Sequence, residues 1–358
     1  MPAPHLVVSI SGHGFGHVAQ TAPILNGLHE RMPQLRITVR SAVPLSHLQS
    51  RIHAPFTHLP SEGDIGMLMS SALDVRVEES RSAYAQFHAN WDARVDDEVR
   101  LLQALGADMI FSNVGYLALA AAQRQSIPNV ALCSLNWFDI YRHYIGDDRI
   151  AKQIFDCYAN ADVFLRATPG MSMESLPNLV PVAPIASVGT NRRDELNQRL
   201  NLSKEEKLVL VSMGGIAGRL PVERWPQIDG VRWLVQESWQ ATHPDAIVLE
   251  SLQMSFNDVL SSCDALLCKP GYGSFVEAAC SGVPVLYVNR ADWPETPALV
   301  TWLQRHGVCR EIPREQLERG ELGQALSALW SVLPATRPKP DGATQVVGWL
   351  IRQLSGKL

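Results

Sequence analysis

The sequence predicts an α/β fold of two Rossmann-like domains, and three observations carry that expectation. The chain has 358 residues, too many for one ordinary core and enough for two α/β domains. Its first part runs from an apolar stretch, Leu6 to Ser11, through a glycine-rich turn into an amphipathic helix, Ala19 to Arg31, and a second strand, Arg36 to Arg40. The same succession restarts at Leu208 with L-V-L-V-S-M-G-G, a buried strand running into a glycine turn.

Between these two starts, Tyr84, Phe87, Trp91, Val95, Val99 and Leu102 recur at helical spacing, which predicts one long helix over residues 76–105. Strand-like runs follow at Met109 to Phe111, Val130 to Cys133 and Val163 to Leu165, separated by helical segments such as Tyr116 to Arg124. They predict a parallel sheet. Prolines, asparagines and charges over 177–204 suit a linker or the entry to a second domain. Beyond Leu208, strands are expected at Val231 to Val235, Ile247 to Leu249, Ala265 to Cys268 and Val283 to Val288, with helices between them. The domains are thus expected at 1–185 and 186–335. After the R-P-K-P break a short helix, Val346 to Leu354, lies in a segment, 340–358, that is a candidate to pack back on the first domain.

Composition narrows the function classes. A charged fraction of 19% and an apolar fraction of 46% are those of an ordinary globular protein. The net charge of -5, without clustered Lys and Arg, excludes nucleic acid as a partner. Six cysteines with no C-x-x-C pair, several inside apolar runs, are expected as reduced buried thiols. No stretch reaches bilayer-spanning length and no basic segment precedes a long apolar run, so a soluble cytoplasmic protein is expected, with peripheral membrane contact left open.

Three turns could carry chemistry. The first, Ser11-Gly12-His13-Gly14-Phe15-Gly16-His17, joins a strand to a helix N-terminus, where amides approach a ligand. It lacks the dinucleotide spacing, and R-I-T-V-R-S ends the second strand without an acid, so a nicotinamide cofactor is rejected. The helix dipole disfavours an imidazolium there, which would leave His17 or His13 neutral and able to take a proton from a hydroxyl. The structural alternative is that either histidine simply caps the helix. The second turn, Lys269-Pro270-Gly271-Tyr272-Gly273-Ser274-Phe275-Val276-Glu277, suits a diphosphate cradle with Glu277 one turn further along, or else a plain stabilising turn. The third, Met213-Gly214-Gly215-Ile216-Ala217-Gly218-Arg219, offers Arg219 to a phosphate, although a surface arginine is commoner. No G-x-x-x-x-G-K-S/T loop occurs, which argues against a kinase.

Taken together, S-G-H-G-F-G-H-V, S-N-V-G-Y-L-A-L-A-A-A and C-K-P-G-Y-G-S-F-V-E-A-A-C-S-G-V-P-V-L-Y-V resemble the GT-B glycosyltransferases over nearly the whole chain. The C-terminal half is similar to the peptidoglycan N-acetylglucosaminyltransferase branch. G-H-G-F-G-H and L-N-W-F-D-I-Y resemble the glycosyltransferase-like module of L-arabinokinases.

The resemblance implies two domains facing each other across a cleft and a hexosyl- or N-acetylhexosaminyl-type transfer from a nucleotide-diphosphate sugar, UDP-sugars foremost, to a hydroxyl acceptor. It puts the donor's diphosphate at Gly271, Tyr272, Gly273 and Ser274, with Gly214, Gly215 and Arg219 nearby. Glu277 would hold the ribose, and backbone near Leu252 to Phe256, Met254 and Phe256 included, would frame the base. His17 would be the catalytic histidine, with His13 the alternate. Asp64, Asn113, Asn136 and Trp137 would hold the acceptor. Where that branch carries a glutamine-rich sugar loop, this chain has N-R-A-D-W-P-E, leaving Asp292 and Glu295 as candidate sugar ligands. No D-x-D triplet occurs, so neither metal nor other cofactor is expected. A nucleotide-sugar 2-epimerase and a non-catalytic sugar-nucleotide module are the rival readings.

Overall fold

In the computed structural model, residues 3–215 and 219–355 are described, and the chain divides into two compact units. Unit 1 holds the chain up to Ser70, Asp74–Ile185 and the segment from Pro340 onward; unit 2 holds Ser71–Leu73 and Ala186–Lys339.

Unit 1 opens with β1 (His5–Ile10), α1 (Gly16–Arg31), β2 (Arg36–Arg40), α2 (Leu45–Arg51) and β3 (Thr57–Leu59). It continues through α3 (Val77–His88), α4 (Trp91–Leu105), β4 (Met109–Asn113), α5 (Leu117–Arg124), β5 (Asn129–Cys133), α6 (Trp137–Tyr144), α7 (Arg149–Ala159), β6 (Val163–Ala167) and β7 (Leu179–Val182). The strands pair in parallel in the order β3-β2-β1-β4-β5-β6-β7. All residues of β1, β4 and β5 are buried, as expected of central parallel strands covered on both faces. The chain leaves β1 in one direction to β2 and β3, then returns to build outward from β4. This reversal makes the carboxyl ends of β1 and β4 a topological switch point, where the departing loops diverge and open a crevice.

One expectation is corrected and a second is made specific. The predicted helix over 76–105 is two helices, α3 and α4, with Asn90 at the N-cap of the second. The rings of His88 and Trp91 stack at 4.8 Å, and His88 Nε2 lies 3.0 Å from the hydroxyl of Tyr116. Turning the chain at Ala89 and Asn90 brings both rings onto the same core, so the apolar period runs through the break. The segment over 177–204, expected as a linker or the entry to a second domain, contains β7 and a further helix, α8 (Arg193–Leu200), and unit 2 resumes within it at Ala186. Pro181 is tolerated in β7 because this edge strand pairs only with β6.

Unit 2 continues from α8 with β8 (Lys207–Ser212), β9 (Val231–Val235), β10 (Ala246–Val248), α9 (Phe256–Ser262), β11 (Ala265–Cys268) and α10 (Tyr272–Ser281). It closes with β12 (Val285–Val288), α11 (Thr296–His306), β13 (Cys309–Ile312), α12 (Arg314–Arg319) and α13 (Gly323–Trp330). Its parallel order, β10-β9-β8-β11-β12-β13, repeats the reversal, with the switch point between β8 and β11. One face of this sheet is filled by large side chains; the rings of Trp225 and Trp233 meet edge-on at 5.1 Å, within a cluster that includes Trp239, Leu286 and Leu326.

The last helix, α14 (Gly342–Ser355), belongs to unit 1 and packs on α1 and β7. A Cβ added at Gly27 of α1 would lie 3.2 Å from Val347, and Gln345 Oε1 accepts from the amide of Ala183 at 2.9 Å. All six cysteines are free thiols. No helix among the described residues is long and apolar enough to cross a membrane.

Candidate active site

In unit 1 the switch point is crossed by a chain of side-chain hydrogen bonds. Gln20 Nε2 donates to Ser134 Oγ at 2.8 Å, which leaves Gln20 Oε1 to accept from Asn113 Nδ2 at 3.1 Å. Asn113 Oδ1 therefore faces His17 and accepts from Nδ1–H at 2.9 Å. The tautomer follows: the lone pair of His17 lies on Nε2, which has no hydrogen-bond partner among the described residues. Burial lowers the imidazole to about 4, against a smaller raising effect of Asn113, so it is uncharged at neutral pH. The expected neutrality is present, and its leading cause is burial. Phe15 is the N-cap of α1 and no side chain caps that helix, so neither histidine has the capping role.

His13 and Asp64 adjoin this chain. Ser11 Oγ accepts from the amide of His13 at 3.3 Å and donates to Asp64 Oδ1 at 2.9 Å. The ring of His13 meets Trp137 edge-on at 5.1 Å, and that of His17 lies 5.9 Å from the same indole. Asp64 is delivered by a loop with glycine on either side. A Cβ at Gly63 would strike Ser9 Oγ at 2.9 Å, and one at Gly66, whose φ is +62°, would strike the ring of His13 at 2.9 Å. Only glycine permits both the close approach and the left-handed backbone. Asn136 serves α6 instead: its Oδ1 accepts from the amide of Asp139 and its Nδ2 donates to Asp139 Oδ2, both at 2.8 Å, an N-cap that leaves little for a ligand.

Asp64 forms no ion pair among the described residues, and its Oδ2 is buried without a hydrogen-bond partner. Burial pushes its carboxyl up to about 6 from 3.8, with Ser11 and then Trp137 acting in the opposite sense and Glu62 adding to the rise. Since the folded value lies above the unfolded one, the stability tied to the proton is complete below the unfolded value of 3.8 and is lost as pH rises to about 6. The loss is about 3 kcal/mol. Asp64→Asn is therefore expected to flatten the dependence of the urea midpoint on pH between pH 4 and pH 7 and to raise stability at pH 7. An unaltered pH dependence would remove Asp64 from that role.

In unit 2, α10 starts at the end of β11 with Gly271 at its N-cap, which offers no side chain to the first amides of the helix. Tyr272, Gly273 and Ser274 form its first turn, and Glu277 is buried in the second. Gly214, at the end of β8, lies across the switch point from them. Lys269, which opens this turn in the sequence but has no role of its own there, spans the gap: a Cβ at Gly214 or at Gly271 would come to 3.9 Å of its Nζ. Arg219 is exposed and already holds Glu223, and it donates to the carbonyl of Trp239 at 2.6 Å. Residues 216–218 of the same turn lie outside the described residues. Met254 and Phe256 lead into α9, which packs beside α10, and Asp292 is exposed in the loop after β12 while Glu295 is buried there.

The remaining groups do not join either cluster. A cavity of about 390 Å³ in unit 1 is lined by helical residues such as Trp91, Gln123 and Asp156 and contains none of the candidates. Among the described residues no group of three or more His, Cys, Asp or Glu could hold a metal ion.

Known proteins place this architecture. The calicheamicin glycosyltransferase CalG4 superposes with a TM-score of 0.60 at 16% identity, over 99% of this chain and 94% of that one. The chain has the GT-B fold. A Listeria monocytogenes protein described as a UDP-N-acetylglucosamine 2-epimerase shares this GT-B fold, with a TM-score of 0.59 at 12% identity over 99% of this chain and 97% of that one. In sequence, the chain is 23% identical over 340 residues to L-arabinokinase of Arabidopsis thaliana, matching 92% of its own length. It spans 32% of the length of that relative. No protein-family model matches the chain.

Proposed function

We propose that this chain is a glycosyltransferase that moves a sugar from a nucleotide-diphosphate sugar, UDP-sugars foremost, to a hydroxyl acceptor without a metal ion. The observation that carries the reading is the hydrogen-bonded chain Ser134–Gln20–Asn113–His17, which holds an uncharged imidazole with its Nε2 lone pair unused at a strand-end switch point. A base so held takes the acceptor proton as the anomeric carbon is attacked. The donor's diphosphate lies on the uncapped start of α10, whose amides stabilise the charge on the departing group. His13, Asp64, Asn113 and Trp137 bind the acceptor; Glu277 binds the ribose.

A thermal-shift series of nucleotide diphosphates and nucleotide sugars tests this, because a ligand of the native state raises the melting temperature by mass action. The expected result is a base-selective rise that Glu277→Ala abolishes. No rise with any nucleotide would sink the reading. Product analysis with a panel of hydroxyl acceptors, free sugars such as L-arabinose included, then separates transfer from epimerisation of the donor and from binding without turnover.

A further inference from the structure

The cavity of about 390 Å³ in unit 1 is lined by α4, α5 and α7, with no strand-end residue among its walls. Its volume suits a small ligand, and its polar groups have fixed directions. Gln153 Oε1 accepts from His88 Nδ1–H at 3.0 Å, so the carbonyl end of that amide is committed inward and its Nε2 is left to donate. Gln123 stands the other way round: its Nε2 donates to the carbonyl of Cys157 at 2.8 Å, which leaves Oε1 to accept. The indole N–H of Trp91 is a further donor on the cavity, without a hydrogen-bond partner among the described residues. The charges nearby are already paired, Arg124 with Asp92 and Asp96 and Asp156 with Lys152, so the lining offers no unpaired cation to a phosphate or carboxylate. The ring of Trp91 is buried and stacks on His88 at 4.8 Å, so it gives no open face to a planar base. What fits is an uncharged, non-planar molecule whose hydroxyls both donate and accept.

We propose that this cavity is a second ligand site, separate from the His17 cluster, and that it binds an uncharged mono- or disaccharide. The inference does not rest on the transferase reading. Sugar hydroxyls accept from Gln153 Nε2 and Trp91 Nε1 and donate to Gln123 Oε1, while Val95 and Cys157 form an apolar floor beneath the ring. Both amides are oriented by their other ends before a ligand arrives, which limits the ordering cost of binding. The site also reports inward. Gln153 holds His88, whose Nε2 lies 3.0 Å from the hydroxyl of Tyr116, the N-cap of α5. A sugar on Gln153 is therefore felt at the His88 ring.

Heteronuclear NMR with L-arabinose, D-glucose and maltose, and with UDP as a charged control, tests this. The expected result is a saturable shift of the Trp91 indole N–H and of the His88 ring signals with at least one sugar and none with UDP. Asn160 is exposed just after α7, lines the cavity and makes no side-chain hydrogen bond among the described residues. Asn160→Trp therefore obstructs the cavity without removing a contact of the fold, and should abolish these shifts while the melting temperature holds. Gln153→Leu should weaken the sugar by about fivefold or more. Sugar shifts that persist in Asn160→Trp, or that fall only on His13, His17 and Trp137, overturn the inference, as does the lack of a Trp91 shift with every sugar. A Trp91 shift with UDP as large as with sugar overturns the neutral-ligand chemistry. Nucleotide binding at α10 is read separately by the thermal-shift series, so either proposal can fail without the other.

Discussion

His17→Ala is expected to lower turnover by about two to four orders of magnitude while the affinity for nucleotide stays within about twofold. The imidazole lies in unit 1 and is tied to Asn113, Gln20 and Ser134, whereas the first turn of α10 belongs to unit 2. The pH profile is the sharper measurement. With His17 lowered to about 4, mainly by burial, its acid form appears only near that pH. The acid limb of kcat is therefore expected near pH 4, well below the ordinary histidine value. Asn113→Asp should move that limb upward, because a carboxylate in contact with Nδ1 favours the imidazolium. Unchanged turnover in His17→Ala would take the residue out of the mechanism.

Arg40→Met is expected to destabilise unit 1 by about 3–5 kcal/mol, which is a large part of the stability of an ordinary domain. The guanidinium of Arg40 is buried at the end of β2, paired with Glu98 of α4 and donating to Ser61 Oγ at 2.9 Å. Its loss leaves the Glu98 carboxylate buried without a cation. Replacing both residues, Arg40→Met with Glu98→Leu, removes the two charges together and should restore most of the stability, since an apolar pair carries no desolvation penalty. Urea denaturation of the single and double variants checks this. Equal losses in the two would mean that the pair itself stabilises the fold beyond compensating its own charges.

Arg40 also shows where sequence reasoning stops. The run R-I-T-V-R-S reveals a strand that ends without an acidic residue, which sufficed to set aside a nicotinamide cofactor, but nothing in it announces a buried ion pair. The partner stands 58 positions away on α4, in a segment whose helical spacing shows an apolar face and whose charges all look alike. The same holds at the candidate sites. Glycines between a strand and a helix are local events, so the turns at Gly12, Gly214 and Gly271 were legible, as were His13, His17 and Glu277. Asn136 was legible as a polar residue ahead of a helix, yet its commitment to capping Asp139 appears only with the backbone in place.

By itself the sequence determined the α/β class, the two restarts of the strand-turn-helix pattern and the residues that stand at the strand ends, because periodicity and turn chemistry act over a few neighbouring positions. Strands β3, β7 and β13 escaped it, being edge strands of 3, 4 and 4 residues with too few positions to show a period. The tertiary structure alone decided which strand ends are adjacent, since parallel pairing is set by crossover connections and the packing of whole faces. The tautomer of His17 follows from Asn113 and Gln20, 96 residues and 3 residues away in the chain but in contact across the switch point. Likewise the position of the Lys269 ammonium between Gly214 and Gly271 depends on β8 and β11 lying side by side. Hydrogen bonding and charge compensation act over a few ångströms of space, and the folded sheet is what converts distance along the chain into distance in space.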